Sequence, residues 1–204
     1  LFPYTTLFRS GLATLVEYLV KEKKYTCIRW ICVNNEPGGI ASWWQKPPNT
    51  PLMPYNAIRL LRQALDAKGI AIPISGMDSC NSLPAFRHPP FEVSEQLGAY
   101  DFHTYYENFD VRAASPGGAR FGTMANFDRL ASDWAAGAHQ TGRAFFYSEF
   151  GTMANGWGAW RETEPYDHPG PGCFDSALRD AEMVVRRLNA GVDGFNRWSF
   201  VNRG

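Results

Sequence analysis

Apolar residues recur along the chain in two alternating rhythms. Residues 11–24 place Leu12, Leu15, Val16, Leu19 and Val20 at helical spacing, and the lysine-rich end suits a helix C-terminus. Residues 25–33 (YTCIRWICV) are a β-branched and aromatic run, predicted as a buried strand and broken by the polar, Pro- and Gly-containing stretch 34–39. Residues 55–68 predict a second helix, with Ile58, Leu61, Ala64 and Leu65 on one face and Gly69 as its stop. Further strands are predicted at 70–75 (IAIPIS), 99–105 (AYDFHTY), 144–150 (AFFYSEF) and 192–201 (VDGFNRWSFV). Helices are predicted at 127–141 and 175–189, with a short helical turn near 93–97.

Strands thus alternate with helices along the whole chain, which predicts an α/β fold built of βα units around a parallel sheet. The long polar and aromatic loops mostly follow strands. The helix-to-strand turns are tight, at Lys68-Gly69, Thr141-Gly142-Arg143 and Ala190-Gly191. In such folds the active site lies at the C-terminal ends of the strands, among those long loops. The opening LFPYTTLFRS shows no period continuous with the helical pattern after it. It matches the in-frame translation of a common sequencing-adapter primer, so residues 1–10 are read as an adventitious tail and 11–204 as part of one domain.

Composition narrows the function. Lys plus Arg and Asp plus Glu number 20 each, so no basic excess draws the chain to nucleic acid or an anionic membrane. No apolar run approaches about 18 residues, so no transmembrane helix is predicted. Aromatics reach 15%, including 7 Trp and 9 Tyr, as expected of a surface that binds flat, amphipathic ligands. His88, His139 and His168 are scattered without metal-ligand spacing, and no phosphate-binding glycine loop occurs, so neither metal nor cofactor is expected. Cys27 and Cys32 are expected as buried thiols on opposite faces of a strand. Cys80 and Cys173 lie in long loops, where a disulfide between them stays open.

Two acidic residues stand at predicted strand ends: Glu36 after CIRWICVNN and Glu149 in AFFYSEFG. In a parallel barrel such positions face one mouth. Two opposed carboxylates there are what glycosidic bond cleavage needs.

Four motifs carry a family resemblance. Asn35-Glu36-Pro37 resembles the fourth-strand motif of clan A glycoside hydrolases, and Ser148-Glu149-Phe150-Gly151 that clan's seventh-strand nucleophile motif. Between them, Asp101-Phe102-His103-Thr104-Tyr105 resembles the sixth-strand His-x-Tyr of family 5, the cellulase-like family. Gly194 to Phe200 (GFNRWSF) resembles the eighth strand, whose Trp floors the sugar site. Their order, spacing and strand placement all agree with that clan.

The resemblance implies a partial (β/α)8 (TIM) barrel, about strands four to eight, and a retaining glycosidase acting on a β-linked plant-type polysaccharide or oligosaccharide. It implies Glu36 as general acid/base and Glu149 as nucleophile, with carboxyls about 5 to 5.5 Å apart. Tyr105 is the candidate donor to Glu149, and Asn35 the candidate partner of the sugar 2-OH. Asn35 and Glu36 can both face the sugar only if the strand ends or bulges there. His103 is a candidate for a sugar hydroxyl, and Trp198 for stacking on a sugar face. Trp43, Trp44 and Trp157 are candidates for neighbouring subsites. Asp78 could touch substrate, with ordinary loop polarity as the preferred reading.

A carbohydrate substrate is the only expected partner, with a monomer expected at full length. A secreted or periplasmic site follows from the substrate class alone. A closed barrel typically needs about 250 residues, and five open strands leave unpaired edges. The 204-residue polypeptide is therefore expected to be poorly folded and inactive by itself. Soluble monomeric expression with turnover would overturn that. Two rival readings stay open. A non-catalytic carbohydrate-binding barrel would not need both glutamates. An open-sheet oxidoreductase or hydrolase would need a Gly-rich dinucleotide turn or a Gly-x-Ser-x-Gly elbow, and the sequence has neither.

Overall fold

Ile58, Leu61 and Leu65 form the fully buried stripe of helix α2 (Met53–Ala67), as their spacing predicts. The computed structural model describes residues 3–33, 35–37, 53–79, 89–105, 124–151 and 174–197. Its other elements are helices α1 (Pro3–Glu17), α3 (Met124–Gln140) and α4 (Phe174–Asn189). The strands are β1 (Ile31–Cys32), β2 (Ile74–Ser79), β3 (Leu97–Tyr105), β4 (Ala144–Gly151) and β5 (Gly194–Arg197). The five strands are parallel and follow chain order across the sheet, β1-β2-β3-β4-β5, the succession of a (β/α)8 barrel. Each of the three tight helix-to-strand turns carries a glycine in the left-handed region: Gly69 at φ +64°, Gly142 at +71° and Gly191 at +82°.

The chain divides into two compact units, residues 1–101 and 102–204. In the first, α1 begins at Pro3, inside the stretch expected to lack a period. Proline suits a first helical position, because its missing N–H has no intrahelical partner to lose. The helix runs on into a π turn at Tyr18–Glu22, closed by Lys23 N–H donating to Tyr18 O at 2.9 Å. Lys68 Nζ lies 2.5 Å from Glu17 Oε2, and Lys21 Nζ donates to Lys68 O at 2.6 Å, tying α1 to the end of α2.

Two strands of this unit differ from expectation. β1 is only Ile31–Cys32, not 25–33, and β2 starts at Ile74 rather than 70. Pro73 explains part of this: its carbonyl accepts from Ile31 N at 3.1 Å, but it has no N–H to extend the ladder. Arg62 explains the rest. Its guanidinium donates to Ile70 O at 2.5 Å and Ile72 O at 2.8 Å, binding that segment's carbonyls to α2. Tyr25 and Trp30 are consequently exposed, and so are Cys27 and Cys32, against the expected buried thiols; neither cysteine forms a disulfide. The predicted turn near 93–97 is a 3-10 helix at Phe91–Gln96, which buries Val93.

In the second unit, Phe127, Ala131, Trp134 and Ala138 of α3 are buried, with Phe145 and Tyr147 of β4 among the buried residues. Trp134 meets Phe102 at 4.7 Å between ring centroids, and Phe127 meets Tyr147 at 6.0 Å. His139 is exposed: its Nε2 lies 2.8 Å from Asp193 Oδ2, and the same oxygen accepts from Phe145 N at 2.8 Å. Helix α4 departs from simple amphipathicity. Phe174, Leu178, Val185 and Leu188 are exposed, whereas Asp180, Met183 and Arg187 are buried.

Candidate active site

In the first unit the site residues sit just past β1. The strand ends at Cys32, and Glu36 adopts φ +43°, a left-handed conformation that costs a non-glycine residue about 1 to 2 kcal/mol. That break answers the facing problem posed by adjacent Asn35 and Glu36. Asn35 is exposed and Glu36 half-buried.

The Glu36 backbone is held from the next strand. Its N–H donates to Asp78 O at 3.0 Å, and Asp78 is itself left-handed, at φ +55°. Asp78 in turn is anchored by Asp101 of β3. One carboxylate oxygen of Asp101 accepts from Asp78 N–H, the other from Ser75 Oγ, both in close contact. A buried carboxylate thus supports two strained residues in series, and the second carries the candidate acid/base.

Asp78 belongs to β2 and is not ordinary loop polarity, a correction to the sequence reading. Asp101 was legible only as the first residue of its motif. Cys32, Asp78 and Asp101 offer ligand atoms within 4.8 Å of one another, but both Asp101 oxygens are already engaged as hydrogen-bond acceptors. That marks the group as support for the backbone.

In the second unit, strand alternation sets His103 and Tyr105 on one face of β3, with Thr104 on the other; all three are buried. His103 Nδ1 is in direct hydrogen-bond contact with Glu149 Oε2. A carboxylate only accepts, so Nδ1 carries the proton. The imidazole therefore fixes one carboxylate oxygen, and His103 is a partner of the candidate nucleophile rather than only a candidate for a sugar hydroxyl. The sequence pointed to Tyr105 as the donor to Glu149, and the structure shows His103 in that place.

Glu149 reaches His103 because β4 is irregular there. Tyr147 pairs with Phe195 of β5 and Phe150 with Arg197, so β4 advances three residues where β5 advances two. In a regular strand Phe145, Tyr147 and Glu149 would share one face, and both Phe145 and Tyr147 pack against α3. The extra residue turns Glu149 off that face, the usual effect of a bulge beside an active site.

Behind the bulge lies Arg187 of α4, fully buried. Burial pushes its guanidinium down to about 10, with Tyr147 and Asp180 acting in the opposite sense. Burial likewise raises the Tyr147 hydroxyl, against the pull of Arg187. Trp43, Trp44, Trp157 and Trp198 lie outside the described residues, as do Cys80 and Cys173.

No protein family and no curated protein matches the sequence. Solved structures do match. The family 39 β-xylosidase of Caulobacter crescentus superposes with a TM-score of 0.62 at 12% identity, over 94% of this chain and 38% of that one. A Thermotoga maritima Cel5A structure with cellobiose gives 0.55 at 12%, over 98% and 60%. A fungal β-1,4-galactanase gives 0.56 at 10%, over 95% and 57%. The fold is a partial (β/α)8 barrel. The chain spans about 40 to 60% of the length of these three structures.

Proposed function

We propose that this chain carries the catalytic residues of a retaining glycosidase, with Glu149 as nucleophile and Glu36 as general acid/base. The observation that carries the reading is Glu149 itself: a buried carboxylate at the end of a barrel strand, turned by a bulge and held at one oxygen by His103. That leaves the other oxygen for an anomeric carbon. Glu36 stands past the C-terminal end of another strand, on a backbone held in a strained conformation, as functional residues often are. Barrel active sites are assembled from such strand ends.

In the proposed reaction Glu36 protonates the leaving oxygen while Glu149 forms a covalent glycosyl bond. Water, deprotonated by Glu36, then releases the sugar. The substrate class rests on the structural neighbours and the motif resemblance together: a β-linked glycan or glycoside. β-Xylosidase, β-1,4-galactanase and the cellobiose-bound protein are the neighbours' own descriptions. The aromatic-rich segments after the strands in the sequence fit a sugar-binding mouth.

A panel of activated 2-deoxy-2-fluoro-β-glycosides, applied to a chain that carries the whole barrel, tests this. A covalent adduct on the peptide containing Glu149, located by mass spectrometry, is the expected result. Glu149→Gln should abolish the adduct and hydrolysis while sugar binding survives, which also separates an enzyme from a carbohydrate-binding barrel. An adduct on another residue, or hydrolysis unaffected by Glu149→Gln, overturns the assignment.

A further inference from the structure

The Arg187 side chain makes contacts that a helix arginine facing solvent would not. Its guanidinium lies 4.4 Å from the ring centroid of Tyr147, 4.5 Å from Phe150 and 5.2 Å from Phe127. Its Nη2 donates to Thr104 O at 3.4 Å, while Nε and Nη1 meet no acceptor among the described residues. Leaving the N–H groups of these two nitrogens of a buried cation unmatched costs free energy. An unbranched apolar side chain such as methionine would avoid that cost, so the planar cation calls for another reason.

The contacts supply one. Tyr147 and Phe150 are three residues apart on β4, and in a regular strand they would face opposite sides. They meet one guanidinium because they flank the bulge, at the two points where register with β5 is kept. The third anchor, Thr104 O, lies on β3 between His103 and Tyr105. Arg187 therefore touches both ends of the irregularity that aims Glu149, and the strand that carries its partner His103.

We propose that Arg187 is a positioning residue that clamps the β4 bulge and so holds Glu149 on His103. The inference rests on the glycosidase reading for its catalytic meaning, but its geometry can be tested without turnover. A flat cation can stack on two rings while donating in its own plane, which neither methionine nor the compact ammonium of lysine can do.

The test uses the 204-residue chain labelled with 15N-histidine. A buried, hydrogen-bonded imidazole Nδ1–H gives a downfield, slowly exchanging proton resonance, assigned to His103 by its loss in His103→Gln. Arg187→Met and Arg187→Lys are each expected to lose or shift that resonance upfield while keeping the wild-type circular dichroism and a cooperative melt. Arg186→Met, at the adjacent half-buried position whose ion pairs go to Asp128 and Glu182, should keep it. Retention of the wild-type resonance in Arg187→Met overturns the proposal. If Arg187→Met does not fold, Arg187→Lys decides on the same criterion. Failure of both to fold also overturns it, because the side chain then holds the whole unit rather than the bulge.

Trapping and hydrolysis are followed on the same samples. A wild type with the resonance but no adduct or turnover is what the chain by itself is expected to give and leaves the clamp standing; absence of the adduct in a chain that carries the whole barrel removes the glycosidase reading alone. Where turnover is present, Arg187→Met should lower kcat on the order of 100-fold with little change in KM, since a misplacement of about 1 Å can cost that much. An unchanged kcat with an unchanged resonance removes the clamp alone.

Discussion

Gly98 offers a sharp test of how the strands of the first unit are packed. It is the second residue of β3, whose later residues include Asp101 and His103. A methyl added there would lie 2.3 Å from Pro73 Cβ and 3.0 Å from Trp30 Cζ3. Carbon atoms rest at about 3.5 to 4.0 Å, so the overlap with Pro73 exceeds an ångström. The proline cannot swing aside, because its ring is fused to the backbone directly before β2. The substitution Gly98→Ala must therefore push β3 off the start of β2 and off Trp30. Overpacking of this kind costs about 1 to 3 kcal/mol, and a clash against a rigid ring belongs at the upper end. Replacing a strand glycine returns roughly 0.5 to 1 kcal/mol of backbone entropy. The net loss is then about 2 kcal/mol, or roughly 4 to 8 °C in Tm for a chain of this size. Gly11→Ala is the control: it lies within α1 with nothing within 4 Å of an added methyl, and should be neutral or stabilising. Thermal and urea unfolding followed by circular dichroism measure both. A Gly98→Ala protein as stable as wild type would refute the packing argument.

The Glu17 carboxyl is held below its ordinary value of 4.5 by hydrogen bonds from Lys68 and Lys21. A lowered carboxyl stabilises the fold above its unfolded value, and that contribution is lost as pH falls through the folded one. Glu17→Gln should therefore lower the urea midpoint at pH 7, and the difference from wild type should close as pH drops below about 4.5. Asp193 accepts from the Phe145 amide and pairs with His139. Asp193→Ala should cost about 1 to 2 kcal/mol by leaving a part-buried N–H unmatched, and His139→Gln distinctly less, both read from urea unfolding.

Much of the fold was legible because local rules governed it. The spacing of Ile58, Leu61 and Leu65 announced α2, and the three stop glycines marked where helices hand over to strands. The ends of β1 and β2 were not legible, because they depend on Arg62 reaching from α2 to carbonyls of the segment after it. The two glutamates could be picked out as carboxylates after apolar runs. Their supports could not. A bulge leaves no local mark in AFFYSEFG, so the contact between Glu149 and His103 had no visible spacing. Nor does Asp101 announce that it holds Asp78, which in turn holds the Glu36 backbone.

Helix α4 carries a consequence for anyone who would re-engineer this chain. Its oily side chains, Phe174, Leu178, Val185 and Leu188, point outward, and among its polar ones Asp180 and Arg187 point inward. A designer who coloured the helix by residue type would paint charges onto the side that looks polar and leave the greasy one alone. The productive edits run the other way. Lysine or glutamate at Leu178 and Val185 should raise solubility with the fold intact, while the inward charges are the ones to leave in place.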